Sequence, residues 1–249
     1  MLVRGGTACK GSVTSRVTRC QLISPAFAAA SGWSPTLERS PTAPSTNTRA
    51  AQENDLEYTY IETARPEDGE VNVLMLIEEQ CQLIITVGHG LGKVVERLAP
   101  DHPHVYFITV DFATYPALPN VTNLVFAEDE AGFLAGALAG YMTRSNVVGV
   151  VAGEQIPPVM RFLRGFTHGA RYANRHVKVL GEYTGSFNDP LKGQSAALAL
   201  ILRGADVIFG AGGRTGSAAI RSAAEAGAWV IGVDQDEWVT TFENGQVAG

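Results

Sequence analysis

Alternating strands and helices predict an α/β fold with parallel sheets for this chain. The clearest stretch is residues 178–236, where three apolar strand segments alternate with two helical segments and each strand leads into a pointed loop. Strands that alternate with helices in this way imply right-handed βαβ crossovers, so all three loops emerge at one edge of the sheet. Open α/β sheets bind ligands at that carboxyl edge, which makes these loops the first candidates for a site.

The composition fits a globular chain with an apolar core. Hydrophobic residues make up 45% of the 249 residues, and the formal net charge of -6 argues against a general binder of phosphate backbones. No run approaches the roughly eighteen apolar residues of a membrane-spanning helix. Cys9, Cys20 and Cys81 lack metal-ligand spacing, and we expect no disulfide, no metal site and no cofactor.

The first 48 residues differ from the rest of the chain. They are rich in Ser, Thr, Arg and Pro and show no sustained period, so we expect an unstructured or non-native segment. Residues 22–30 faintly resemble a signal core, but Ser24 and Pro25 interrupt it, and no clear signal peptide is present. We predict a partial first lobe over 49–125, a second lobe over 126–233 and a truncated segment that crosses back over 234–249.

The first lobe contains the elements of βα units in order. Strands are predicted at 56–61, 83–87 and 104–110, each an apolar or alternating run. A helix lies between the first two, with apolar residues at Val71, Leu74, Met75 and Ile77, and a second helix stops at Pro100. An irregular crossing near 112–127 then separates this lobe from the next.

The second lobe begins with a helix at 129–143 whose interior glycines and alanines suit close packing against another helix. A strand at 147–152 follows, then a helix entered at Pro157 and Pro158, and then the stretch 178–236. Two sets of βαβ units predict two lobes of parallel sheet flanked by helices.

Two carboxylates follow strands at the predicted carboxyl edge. Asp111 comes after the strand 104–110, and Asp234 comes after the wholly apolar strand 229–233. Such carboxylates are often solvated loop charges, whereas at a ligand-binding edge they can accept hydrogen bonds from a polar ligand. Both interpretations remain open on this evidence.

Phe187 lies in the loop 185–190 at another strand end. Asp189 can cap the helix that follows, and Pro190 can occupy its first turn. An aromatic residue in a capping loop is either a plug in the local core or a flat face for a ring.

The loop from Gly210 to Gly216 resembles a dinucleotide-binding loop, because it follows a strand, opens a helix and precedes a strand that ends at Asp234. Its glycine spacing differs from G-x-G-x-x-G, and it comes after several βα units. An NAD(P)-binding enzyme is therefore an alternative, and glycines that let backbone amides approach another ligand are favoured. The sequence contains no G-x-S-x-G and no H-E-x-x-H, and we expect no enzyme activity.

Several motifs together resemble the basic membrane protein family, the purine-nucleoside-binding lipoproteins that serve ABC importers. They occur in the family's order at 126–141, 162–166, 185–190, 204–209, 212–216 and 232–236. The resemblance implies a periplasmic-binding-protein type I fold whose two lobes close on a nucleoside and deliver it to an ABC permease. It also implies a monomer that binds no nucleic acid and that is exported, either periplasmic or lipid-anchored at the outer face of the plasma membrane.

The resemblance also assigns roles to residues. Phe187 would stack on the base, Asp111 would hydrogen-bond near the base or ribose, and Asp234 would hold ribose hydroxyls, with the backbone of Gly212 and Gly213 close by. A neutral nucleoside presents a π face and several donors, which match an aromatic ring and buried carboxylate acceptors.

The chain departs from the family at both ends. Family members begin with a strand and a Gly-rich loop that carry a second stacking aromatic, and they continue past the Asp234 motif to a ribose-contacting Lys, neither of which is visible here. No lipobox cysteine follows an apolar signal core. We therefore expect an incomplete member that binds nucleosides weakly. A ligand-sensing regulator of the same fold is a further alternative, although no helix-turn-helix pattern supports it.

Overall fold

Every strand pairing in the described part of the chain is parallel. The computed structural model describes residues 18–23, 53–54, 57–63 and 65–245. Its strands are β1 (Thr18–Ile23), β2 (Glu57–Glu62), β3 (Leu83–Val87), β4 (Tyr106–Val110), β5 (Val121–Leu124), β6 (Val147–Ala152), β7 (Lys178–Tyr183), β8 (Val207–Ala211) and β9 (Trp229–Ile231). They form one sheet in the order β2-β1-β3-β4-β5 and another in the order β7-β6-β8-β9. The predicted α/β class with two parallel sheets is confirmed.

The strand β1 corrects the expectation that residues 1–48 hold no regular structure and that a first strand is missing. It lies between β2 and β3, where Leu22 pairs with Ile61 on one side and with Thr86 on the other. A central strand gains its stability from two long-range ladders, which the local pattern of residues does not show. The rest of residues 1–48 lies outside the described residues, as do residues 246–249.

Two helices cover one face of the first sheet, α1 (Gly69–Glu78) and α2 (His89–Leu98). The core between helices and sheet contains Leu76, Ile84, Val95 and Phe107, all fully buried. We call this sheet with its helices the first lobe.

The second sheet is covered on both faces and forms the second lobe. Its helices are α3 (Glu128–Met142), α4 (Pro157–Ala173), α5 (Pro190–Leu202) and α6 (Gly213–Glu225), and a short helix α7 (Glu237–Thr240) follows. The helices α3 and α4 pack on the face that carries Val150 and Phe209, whereas α5 and α6 pack on the face that carries Val151 and Ile208. The domain limits predicted from the sequence remain a proposal.

Glycines allow α3 and α4 to touch through their backbones. A Cβ atom at Gly136 would lie 2.0 Å from the carbonyl oxygen of Phe166, and one at Gly169 would lie 1.9 Å from that of Phe133. The expectation that the small residues of α3 serve close helix packing is confirmed. This contact fixes α4, whose first turns carry Arg161.

Cys81 corrects the expectation of no disulfide, because it is buried and disulfide-bonded. Sequence spacing does not reveal which cysteines a sheet brings within bonding distance. Within the described ranges, no helix has the length and apolar character needed to span a membrane.

Candidate functional site

The carboxyl edges of the two sheets carry one aspartate each in a left-handed backbone conformation. Asp111 follows β4 with φ of 63°, and Asp234 follows β9 with φ of 67°. Aspartate is one of the few residues other than glycine that adopt this region with some frequency. The N–H of Asp111 also donates to the carbonyl oxygen of Leu124 at 2.9 Å, which fixes the turn against β5.

The two carboxylates lie close enough to interact although they belong to different lobes. Burial raises the pKa of Asp111, and the negative charges of Glu128 and Asp234 raise it further, while the Arg161 guanidinium acts in the opposite direction. Burial and then Glu237 raise the pKa of Asp234. Solvent still reaches Asp234, which is exposed. Carboxylates gathered in this way favour a ligand that brings hydrogen-bond donors.

A partly buried ion pair lies near Asp111. Glu128, at the first residue of α3, is 4% exposed and accepts hydrogen bonds from Arg161 Nε at 2.6 Å and Arg161 Nη2 at 3.1 Å. The bond to Glu128 raises the pKa of Arg161, which stays charged. The sequence analysis missed this pair, since nothing in the local pattern links residues on two different helices.

Phe187 lies where the loops after β6, β7 and β8 meet. Its ring is half-buried against Gly153, where a Cβ atom would lie 2.4 Å from Phe187 Cε1. The Phe187 carbonyl accepts a hydrogen bond from the N–H of Thr215 at 3.2 Å. The ring therefore packs on the core of the second lobe and also retains an exposed portion at the carboxyl edge.

The predicted cap of α5 is confirmed. The Asp189 carboxylate accepts from the N–H of Lys192 at 3.1 Å, and Pro190 occupies the first turn. The N–H of Asp189 donates to Thr215 Oγ1 at 2.9 Å. This cap holds the Phe187 loop against the start of α6.

The glycine loop closes the same edge. Gly212 precedes α6 and packs on the β6 loop, since a Cβ atom there would lie 3.0 Å from the nitrogen of Gly153. Gly213 has φ of 56°, a conformation in which glycine is favoured. Gly213 and Asp234 line one small cavity of about 20 Å³. The structure thus brings Phe187, Gly212, Gly213 and Asp234 to one edge.

Glu237 supports the Asp234 loop and was not predicted as part of the site. It is 8% exposed, and its carboxylate accepts from Ser217 Oγ at 2.8 Å and from the Thr241 hydroxyl. Its side chain packs on Gly232, where a Cβ atom would lie 2.3 Å from Glu237 Cγ. An acidic residue after a strand and loop has no distinctive pattern, so the sequence offered no indication of this contact.

No cluster of three or more metal-ligating side chains occurs among the residues with described positions. The predicted residues at the edge provide carboxylates, backbone amides and one aromatic ring. This set can bind a neutral polar ligand through hydrogen bonds and stacking.

Comparison with known proteins identifies the family. A family model described as "ABC transporter substrate-binding protein PnrA-like" matches residues 46–247. The chain belongs to the Bmp family. The family resemblance found in the sequence is therefore confirmed, and the transport class is favoured over the dinucleotide-dependent enzyme.

Curated relatives agree with this assignment. The Bmp chain is 32% identical over 197 residues to a CD4+ T-cell-stimulating antigen of Listeria monocytogenes, a match that covers 74% of this chain and 55% of the relative. It is 31% identical over 198 residues to a protein of Lactococcus lactis named "ABC transporter nucleoside-binding protein BmpA", covering 75% of this chain and 56% of the relative. The chain spans a little over half the length of these relatives.

Solved structures share the fold. A solute-binding protein of an ABC transporter system from Aeropyrum pernix superposes with a TM-score of 0.68 at 24% identity, covering 88% of this chain and 62% of that one. A transcriptional activator of the comK gene from Bacillus halodurans gives 0.66 at 19% identity, covering 90% and 74%. At these identities the likeness concerns the fold alone, and the predicted periplasmic-binding-protein type I fold is confirmed.

Proposed function

We propose that this Bmp protein binds a purine nucleoside in the cleft between its lobes and delivers it to an ABC permease. The observation that supports the proposal is that the charge of Asp234 contributes to raising the pKa of Asp111, since a carboxylate of each lobe is then near the other. The name of the Lactococcus lactis relative supports the nucleoside as the ligand.

Each residue at the edge has a role that matches nucleoside chemistry. The exposed part of the Phe187 ring stacks on the base, and the Asp234 carboxylate accepts from the ribose hydroxyls. Asp111 accepts from a donor near the base or ribose. Gly212 and Gly213 have no side chain, so their backbone amides can lie close to the ligand.

Closure of the lobes explains how a permease can recognise the ligand-bound protein. A ligand that bridges Asp111 and Asp234 favours the closed arrangement, because only that arrangement satisfies both carboxylates at once. Closure also excludes water, which strengthens the hydrogen bonds inside the cleft. The permease then distinguishes loaded from empty protein by shape.

Calorimetric titration tests the proposal with guanosine, adenosine and inosine. We expect at least one nucleoside to bind weakly and to bind better than the free base or free ribose. Asp234→Asn should weaken binding, whereas Asp236→Asn should not, since Asp236 caps α7 by accepting from the N–H of Trp238 at 3.1 Å. No heat with any of the three nucleosides would overturn the proposal.

We also propose that the protein is exported, either periplasmic or lipid-anchored at the outer face of the plasma membrane, and that it acts as a monomer. A relative from Pyrococcus horikoshii, 30% identical over 184 residues, is named a lipoprotein, with 65% of this chain and 45% of the relative covered. Membrane fractionation with and without a detergent wash, followed by light scattering of the released protein, tests both points. A cytoplasmic product would contradict the first, and a stable dimer would contradict the second.

A further inference from the structure

His89 lies at the carboxyl edge of the first lobe and has no role among those described above. It follows β3 directly and is the first residue of α2. The neighbouring strand β4 ends at Val110, and the N–H of Gly88 donates to the carbonyl oxygen of Val110 at 3.0 Å. His89 therefore lies one strand away from Asp111 at the same edge.

The ring of His89 has a supported orientation. It meets the ring of Phe112 edge to face, with 5.1 Å between the centroids and 65° between the planes. Phe112 is itself buried and lies on Gly92, where a Cβ atom would be 2.2 Å from Phe112 Cγ. A ring held by such a neighbour keeps its nitrogens in place without a hydrogen bond of its own.

Neither ring nitrogen of His89 has a hydrogen-bond partner among the residues with described side chains. Burial lowers the pKa of this half-buried imidazole, the charge of Lys93 lowers it further, and Glu96 acts in the opposite direction. The lowered pKa favours the neutral imidazole, which presents one N–H donor and one lone-pair acceptor. The ring is only half-buried, so its nitrogens are open to a hydrogen-bond partner from solvent or from a ligand.

We propose that His89 is a ligand-binding residue of the first lobe and that its imidazole hydrogen-bonds the bound nucleoside. This inference rests on the proposed function, since it names a further contact in the same cleft. With Asp111, it gives the first lobe a second polar group toward the ligand. It also gives the lobe a group able to donate, which a carboxylate is not.

Titration of His89 variants with the nucleoside that binds the unaltered chain tests this role. His89→Phe keeps a ring on Phe112 and removes both nitrogens, so binding should weaken roughly threefold to tenfold, the effect of one lost hydrogen bond. His89→Gln keeps a donor and an acceptor and should bind more tightly than His89→Phe. The control is His104→Phe, an exposed histidine just before β4 at the opposite edge of the sheet, which should bind as the unaltered chain does.

Two outcomes separate this inference from the proposed function. If the unaltered chain binds no nucleoside, the proposed function fails and the inference fails with it. If the unaltered chain binds and His89→Phe binds within twofold of it, or His104→Phe weakens binding equally, only the inference is overturned. Should His89→Phe not fold, spectra of ¹⁵N-histidine-labelled unaltered protein decide, since the His89 ring resonances must shift on addition of the nucleoside and their constancy would refute the contact.

Discussion

The guanidinium of Arg161 on α4 donates two hydrogen bonds, at 2.6 and 3.1 Å, to the buried carboxylate of Glu128 at the start of α3. The pair links the first residue of α3, where the chain enters the second lobe, to α4 of that lobe. A carboxylate that is 4% exposed depends on this partner, because a buried charge without a partner is strongly destabilising.

Arg161→Met should therefore lower the free energy of unfolding by about 2 kcal/mol, the value of a hydrogen-bonded charged group that is partly open to solvent. Urea denaturation followed by circular dichroism measures the change. The control is Arg97→Met, whose Nη2 lies 2.6 Å from Glu70 with both side chains largely exposed. That surface pair should change stability by less than about 1 kcal/mol. Equal effects of the two substitutions would contradict the special role of Glu128.

The close contact between α3 and α4 predicts that replacing a helical glycine by alanine destabilises the protein. Gly136→Ala should destabilise the protein by about 1–3 kcal/mol, because the new methyl group meets the carbonyl oxygen of Phe166 and must push the helices apart. Gly90→Ala in α2 is the matched control, since a Cβ atom there meets nothing within 4 Å. Alanine should stabilise that helix by about 0.5–1 kcal/mol. Thermal unfolding should show a lower melting temperature for Gly136→Ala and a higher one for Gly90→Ala. A stabilising Gly136→Ala would show that the helices lie farther apart.

The carboxylate of Asp111 predicts a stability change that depends on pH. Its pKa is raised above the ordinary value of 3.8 in the folded chain, so the folded state binds the proton more tightly than the unfolded state. The stabilisation is fully present below about pH 3.8 and is lost as the pH rises through the folded pKa. Asp111→Asn should therefore be more stable than the unaltered protein near pH 7, and this gain should vanish near pH 3.8.

Asp206 provides a control of opposite sign. Burial alone would raise its pKa, but hydrogen bonds from the Thr143 hydroxyl and from the N–H groups of Ser145 and Arg144 together lower it. Its ionised form stabilises the fold at neutral pH, and this contribution is lost as the pH falls through the lowered pKa. Asp206→Asn should be less stable than the unaltered protein near pH 7. Urea midpoints at several pH values measure both variants, and the same sign for both would contradict the assignment.

Substitution of Phe187 distinguishes a role in core packing from a role in stacking on the ligand. Phe187→Leu keeps an apolar side chain on Gly153 and should change stability by less than about 1.5 kcal/mol. It removes the flat face, so nucleoside binding should weaken roughly threefold to tenfold. Phe162→Leu is the control, because Phe162 packs near Phe209 inside the second lobe, with 6.2 Å between ring centroids, and should leave binding unchanged. If Phe187→Leu binds as tightly as the unaltered chain, Phe187 is only a plug.

The sequence by itself determined the features that arise from local pattern. Apolar runs alternating with helical periods gave the parallel α/β fold, Asp189 and Pro190 marked the start of α5, and a strand end followed by an aspartate placed Asp111 at a carboxyl edge. These features depend on residues that are near one another in the chain. The motifs that carry the family resemblance belong to the same class.

Only the tertiary structure decided which distant residues meet. It placed β1 between β2 and β3, joined Arg161 to Glu128, and brought Asp234 of one lobe within electrostatic reach of Asp111 of the other. Such contacts depend on strand order and on how two sheets face each other, and no period in the sequence encodes either. The chain's pattern names the residues at the two edges, and the arrangement of the two sheets decides which of those residues come near one another.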